Sequence, residues 1–162
     1  MYMSFTVYLN SRSAYLQNSE NNERNFLINW DTFPDSKYIM TCDFVSSVSA
    51  TSVSFSEPNR SMCIISVDGI PSANYIAGSK SEAQVTGFIG VAHLEIQSSQ
   101  TTASNSSGIL ICAPYDNPAI YLPYKPTKNE LIVRLFSPDG VTLHERLFAL
   151  SWILRLHFTP ID

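Results

Sequence analysis

The chain has 162 residues, a formal net charge of −4 at pH 7 and a pI near 5.3. This length suits one domain with a sizeable buried core, and the acidic balance argues against nucleic-acid binding, which needs lysine and arginine to displace counterions from phosphates. Only 15% of the residues are charged while 23 are serine, so hydroxyl and amide groups cover much of the surface, which favours a protein that packs against neighbours.

The first half of the chain alternates apolar and polar residues with a period of two, which is typical of strands buried on one face. Residues 10–24 lack this period and are rich in Asn, Ser and Glu, so they predict an exposed N-terminal arm or loop. Residues 46–55 favour strand but are polar, which predicts an edge strand or a connection. The predicted strands of this half are residues 5–9, 26–30, 38–46 and 62–67.

Two long loops flank one strong strand in the middle of the chain. Residues 70–84 contain proline, glycine and several Ser and Asn residues, and residues 97–108 are nearly all Ser, Thr, Gln and Asn, so both predict loops. Between them, residues 86–96 are largely apolar on both faces, which predicts a central strand. Gly87 and Gly90 lie inside this pattern and predict a bulge or close sheet packing instead of a phosphate-binding loop.

The last third of the chain predicts four more strands. Residues 108–113 and 119–124 are short and bounded by prolines, as at the edges of sheets. Residues 131–136 alternate and lead into Ser137-Pro138-Asp139-Gly140, a turn in which proline presets φ and glycine takes the left-handed position. Residues 150–158 have the most regular alternation in the chain.

One segment is ambiguous, because leucines at helical spacing leave a helical turn at residues 142–149 as an alternative. About eight strands with turns between them predict an all-β fold, an antiparallel two-sheet sandwich that is jelly-roll-like. We predict a single domain over residues 1–162, because neither an internal repeat nor a linker interrupts the pattern.

Residues that could carry chemistry are few and isolated. Cys42, Cys63 and Cys112 are odd in number and far apart, which predicts three reduced, mostly buried thiols. The three histidines, at positions 93, 144 and 157, lack a second metal-type ligand at helical or hairpin spacing, so we expect them to be structural. No nucleophile elbow is present. We therefore predict no catalytic residue, no metal and no cofactor.

Three tyrosines are candidates for a contact patch. Tyr115, Tyr121 and Tyr124 lie among prolines in a segment that is unlike a buried centre. Tyrosine offers a flat apolar face with a polar tip, which suits contact with sugars or with another protein. The alternative is that they are ordinary edge-strand tyrosines packed against prolines.

The first residues lack both the basic and the apolar regions of a signal peptide. No apolar run approaches the roughly 18 residues of a membrane span. We therefore expect a soluble protein that is made in the cytosol and has no membrane span.

Several blocks in a fixed order carry a resemblance to a known family. They are Tyr-Leu-Asn-Ser-Arg at 8–12, Asn-Phe-Leu-Ile-Asn-Trp at 25–30, the strand at 38–45, Leu-Ile-Val-Arg-Leu at 131–135, Pro-Asp-Gly at 138–140 and the terminal alternating strand. In this order the chain resembles the small single jelly-roll structural proteins, minor capsid and penton proteins, of large icosahedral double-stranded DNA viruses of eukaryotes.

The resemblance implies an eight-stranded jelly roll without catalytic residues, which assembles into a shell or vertex. The implied partners are other capsid proteins and further copies of this chain, a pentamer being possible, and the implied location is the virion after synthesis in the host cytoplasm. Two other hypotheses about the function stay open. One is a β-sandwich attachment module that binds a carbohydrate or a receptor, and the other is a cupin-type enzyme, which would need two or three histidines with a carboxylate.

Overall fold

The computed structural model describes residues 3–14, 22–49, 62–71, 75–77, 84–93, 96–97, 107–112, 119–144 and 151–161. These residues form twelve strands and two single-turn 3-10 helices, at Ser11–Ser13 and Trp30–Thr32. No helix in this described part is long and apolar enough to cross a membrane. The strands are β1 Phe5–Asn10, β2 Glu23–Leu27, β3 Lys37–Ser49, β4 Met62–Asp68, β5 Tyr75–Ala77, β6 Gln84–Thr86, β7 Phe88–His93, β8 Ile96–Gln97, β9 Ser107–Cys112, β10 Ile120–Leu122, β11 Glu130–Phe136 and β12 Trp152–Ile161.

The strands form two main antiparallel sheets. The six-stranded sheet has the order β1-β12-β3-β9-β8, with β10 also paired to β3, and the four-stranded sheet has the order β2-β11-β4-β7. Strands β9 and β10 pair with different parts of β3 and together occupy one position beside it. The short strands β5 and β6 form a separate two-stranded ribbon.

The pairing of the main strands is nested. Strand β1 pairs with β12, β2 with β11, β3 with β9 and β10, and β4 with β7. Successive pairs of this series lie alternately in the two sheets. The chain therefore has the topology of one long antiparallel hairpin that folds over to form the two layers of the sandwich. Without the short β8, the main strands fill four positions in each layer, and nested pairing between two such layers is the jelly-roll arrangement. The predicted all-β, antiparallel, jelly-roll-like sandwich is therefore confirmed.

A single apolar cluster fills the space between the sheets. Trp30, Trp152, Tyr38 and Phe158 are among its largest fully buried side chains. The Phe5 ring stacks on Phe158, with 4.8 Å between the ring centroids. Burial of side chains this large, at roughly 25 cal/mol per Å² of apolar surface, is the main stabilising contribution to such a sandwich.

The predicted strand at 26–30 is too long at its C-terminal end. Strand β2 ends at Leu27, and Trp30 begins a 3-10 turn. The Asn29 side chain accepts a hydrogen bond from the Asp31 backbone N–H at 3.0 Å, which turns the chain. The Trp30 ring is nevertheless buried, and its Nε1 donates to the Lys128 carbonyl oxygen at 2.8 Å.

The prediction of an exposed arm at residues 10–24 is wrong at both ends of that segment. Ser11, Ala14, Asn22 and Arg24 are buried, and β2 already begins at Glu23. The Ser11 hydroxyl accepts a hydrogen bond from the Trp152 backbone N–H at 3.0 Å, which ties this turn to β12. A polar composition suggested exposure, but the Ser11 hydroxyl is bonded inside the fold and the Asn22 backbone carbonyl oxygen accepts a hydrogen bond from the Leu135 N–H at 2.8 Å. Residues 15–21 lie outside the described part.

Both predicted long loops contain strand residues. Strand β5 lies within 70–84 and β6 begins at its end, while β8 and β9 take up the two ends of 97–108. Strands β5, β6 and β8 have only two or three residues each, too few to show the alternation that marks a strand, whereas β9 largely coincides with the strand predicted at 108–113. The middle parts of both segments, residues 72–74, 78–83 and 98–106, lie outside the described residues.

The strong strand predicted at 86–96 is not central. Strand β7 starts at Phe88 and forms the edge of the four-stranded sheet, where it pairs with β4. The sequence predicts an edge strand or a connection at residues 46–55. Instead, β3 runs to Ser49 and lies in the middle of the other sheet, and residues 50–55 lie outside the described part. In the ambiguous segment, residues 142–144 are not helical, since Leu143 forms a bridge with Phe136, and residues 145–149 are not described.

Candidate functional site

The outward side of the six-stranded sheet is unusually apolar. Among the described residues, nine large hydrophobic side chains are exposed, and five of them lie on this side. Isolated exposed apolar side chains are normal, but several of them on one sheet face make that face a candidate interaction site. We call this surface the outer face; its described side chains are Thr6, Tyr8, Ile39, Thr41, Asp43, Val45, Tyr121, Ile153, Arg155, His157 and Thr159.

The alternation of β12 creates this face. Trp152, Leu154, Leu156 and Phe158 are buried, so the residues between them point away from the core. Each outward residue of β12 stands beside an outward residue of β3, as in the pair Ile153 with Val45. The outer face therefore consists of rows that run across the strands.

Apolar rows lie at the two ends of the face. Ile153 and Val45 form one row, and Ile39 with Tyr121 of β10 forms the other. On β12, Ile153 belongs to the first row, and Thr159, the register partner of Ile39, belongs to the second. These two residues are six positions apart, so the rows are roughly 20 Å apart at about 3.3 Å per residue. The Tyr121 side chain is 53% exposed.

A charged row lies between the apolar rows. Arg155 of β12 is paired with Asp43 of β3, and its Nη2 donates to the Asp43 carboxylate. Tyr8 of β1 stands on the other side of Arg155 and is 66% exposed. Tyrosine and arginine are the residue types that most often dominate binding energy in protein interfaces.

A row of hydroxyl and imidazole groups completes the face. The Thr6 Oγ1 lies 2.9 Å from the His157 Nδ1, and Thr41 of β3 is the register partner of His157 on the other side. His157 thus has the Thr6 hydroxyl as a hydrogen-bond partner. His144 is buried in the segment after β11, and the side chain of His93 lies outside the description.

A cleft of about 440 Å³ adjoins one end of the outer face, lined by Asp35, Ser36, Lys37, Pro123, Tyr124, Lys125, Thr127 and Ile161. The Lys125 Nζ donates to the Phe33 carbonyl oxygen at 3.1 Å and pairs with Asp35 at 2.9 Å, which joins the two walls. The hydrogen bond to Asp35 raises the pKa of Lys125, which favours its positively charged form. The Tyr124 ring is 54% exposed.

A second depression, of about 360 Å³, lies at the opposite end and is lined by Asn10, Arg12, Val45, Ser46, Ser151, Trp152 and Ile153. The Arg12 Nε donates to the Ser151 Oγ at 2.7 Å. The outer face is thus bounded by concave features at both ends, into which protruding side chains of a partner could fit.

Two of the three tyrosines proposed as a contact patch lie in the described part of the chain, and both are exposed. Tyr121 lies on the outer face and Tyr124 lines the adjoining cleft, while Tyr115 is outside the described residues. Tyr8, Val45 and Ile153 are further contact candidates, which the sequence pattern did not single out. The signal that could have identified them is a large apolar residue at a strand position that points away from the core.

The buried thiols of Cys42 and Cys63 lie in the core, as predicted. Among the described residues, His, Cys, Asp and Glu side chains do not gather in groups of three or more that could hold a metal ion. No model of a known protein family matches the chain, and no curated protein matches it at a significant level.

Proposed function

We propose that this protein is a non-enzymatic structural protein of a virus shell, a minor capsid or penton protein that assembles with itself and with other capsid proteins. The single observation that carries the proposal is the outer face, which presents apolar rows around a charged pair on a flat sheet. A surface of this composition suits contact with another protein more than contact with solvent.

The jelly-roll topology supports the same function. This fold is common in viral capsid proteins, and it also occurs in lectins and cupin enzymes, so fold alone does not choose among them. Cupin chemistry requires polar ligands that point into the barrel. Here the inward positions of β12, β3 and β11 hold Trp, Leu, Phe, Met, Cys, Tyr and Val side chains, which pack into a core. The outer surface is therefore the better place to seek function.

Self-assembly is the part of this proposal that can be measured first. Light scattering coupled to size-exclusion chromatography gives the mass of the purified protein from about 1 µM to about 1 mM, which spans binding free energies of about −8 to −4 kcal/mol. We expect a mass above 18.1 kDa that rises with concentration, and closed rings or shells by negative-stain electron microscopy. A monomer over the whole range, at low and high salt, would contradict assembly of the protein with itself.

A second candidate function is an attachment module that binds a carbohydrate. The cleft next to Tyr124 favours it, because an exposed tyrosine ring beside Asp35, Lys125 and Thr127 offers a stacking surface and several hydrogen-bonding groups. A glycan array tests this function. Tyr124→Ala should abolish any binding, while Tyr8→Ala, a comparably exposed tyrosine outside the cleft, should leave it unchanged. An array without any bound glycan would rule this candidate out.

A further inference from the structure

The charged row of the outer face is self-complementary. Arg155 and Asp43 are direct register partners on neighbouring strands, and their side chains are 50% and 34% exposed. A twofold axis that runs parallel to the strands, midway between β12 and β3, exchanges the two positions. In the resulting pair of molecules, each Arg155 faces the Asp43 of the second copy, and the four charges alternate in sign around a square.

The same axis matches two of the other rows of β12 and β3. It places Ile153 opposite Val45 of the second copy, so the apolar row meets an apolar row. It also places His157 opposite Thr41, which brings hydrogen-bonding groups together. A twofold axis across the strands would instead set Arg155 against Arg155, which is unfavourable because like charges repel. The charge pattern therefore selects one orientation.

The dimensions fit a sheet-on-sheet contact. Sheets that pack face to face lie about 10 Å apart, a gap that an extended arginine and an opposing aspartate can fill together. At about 3.3 Å per residue and about 4.8 Å per strand, the six-stranded sheet covers roughly 600 Å². A stable complex of standard size buries about 800 Å² per partner, so the whole sheet face with its margins would be needed.

We propose that a second copy of this chain binds the outer face, sheet against sheet, about this twofold axis. The inference rests on the proposed self-assembly and specifies its contact surface. The charged square sets the register of the two sheets, and the apolar row of Ile153 and Val45 supplies surface that leaves water on binding. An isologous contact of this kind can link neighbouring units of a larger shell.

Charge reversal in separate molecules tests the inference. Asp43→Arg and Arg155→Asp each place like charges across the axis, so each variant alone should lose self-association by tenfold or more in Kd. An equimolar mixture of the two variants should associate again, because one face is then positive and the other negative. Each variant carries a dye that absorbs at its own wavelength. Sedimentation velocity recorded at both wavelengths then shows whether the two variants sediment together as a mixed dimer.

A matched control exists in the other sheet. Arg134 and Glu23 are also register partners on neighbouring strands, with an N–O distance of 2.8 Å and exposures of 32% and 31%. Glu23→Arg and Arg134→Glu should leave self-association unchanged. If the charge reversals impair folding, as judged by circular dichroism, Ile153→Ser replaces them, with the exposed Leu27→Ser of the other sheet as its control.

The outcomes separate the two proposals. An oligomer that withstands both outer-face reversals overturns this contact and leaves self-assembly standing. Folded single variants that dissociate but do not associate when mixed overturn the twofold arrangement, and they would instead favour a different arrangement of the copies. A native protein that is monomeric throughout overturns both this contact and assembly with itself.

Discussion

The Cys42 side chain shows how burial determines the chemistry of one residue. Its Sγ lies 3.3 Å from the Ile89 carbonyl oxygen between the two sheets. Burial raises the pKa of the Cys42 thiol to about 11, because the thiolate would lose its hydration. The thiol therefore stays protonated at neutral pH, and the thiolate is the reactive form.

We expect iodoacetamide at pH 8 to leave Cys42 unmodified while the protein is folded. Mass spectrometry of proteolytic peptides after timed labelling measures the modification of this residue by itself. The same protein in concentrated denaturant is the control, in which Cys42 should react as fast as an ordinary thiol. Rapid modification of Cys42 in the folded protein would contradict its placement in the core.

At the scale of single elements, one glycine controls how β6 joins β7. Gly87 has a φ of +67°, and a Cβ atom at this position would come within 2.6 Å of the Val67 carbonyl oxygen. The Gly87 carbonyl oxygen accepts a hydrogen bond from the Val67 N–H at 2.9 Å. The register of β4 and β7 shifts at this point, between Ile65 and Ser66. The predicted bulge or close packing at this glycine is thus confirmed.

Gly87→Ala should lower the free energy of unfolding by about 2 kcal/mol or more, since it combines an unfavourable φ with a clash against backbone. Urea denaturation followed by circular dichroism measures the change. Gly140→Ala is the comparison, because Gly140 has a φ of +70° in a turn, and we expect about 1 kcal/mol there. If Gly87→Ala has the same free energy of unfolding as the native protein, β6 and β7 must be connected by a different backbone conformation.

The whole molecule contains two tryptophans, and both lie in the same apolar cluster. Trp30 contacts Phe33 and Phe158, and Trp152 contacts Phe26 and Phe44. Because one core contains both rings, the prediction of a single domain implies that both report the same unfolding transition.

The variants Trp30→Phe and Trp152→Phe each leave one tryptophan as a probe. In each variant, the fluorescence midpoint in urea should coincide with the midpoint from far-ultraviolet circular dichroism. A fluorescence transition well separated from the circular dichroism transition in either variant would indicate two independently folding units and contradict the single domain.

Local sequence determined most of the strands and the class of fold. Alternation in 131–136 and 150–158 places apolar side chains on one side of an extended chain, whatever its partners are, and these segments became β11 and β12. Alternation of the same kind in 38–46 leaves Thr41 exposed and Asp43 half-buried on the side away from the core. A sandwich follows because sheets with one apolar face must cover that face with another layer.

The tertiary structure alone decided which strands are neighbours. Phe5 pairs with Phe158 across nearly the whole length of the chain, and nothing local to either residue encodes that register. Pairing between distant strands also placed β7 at the edge of its sheet and aligned Arg155 with Asp43 between apolar rows. A sequence pattern states which face of a strand is buried, but the surface that a partner meets is built from several strands at once.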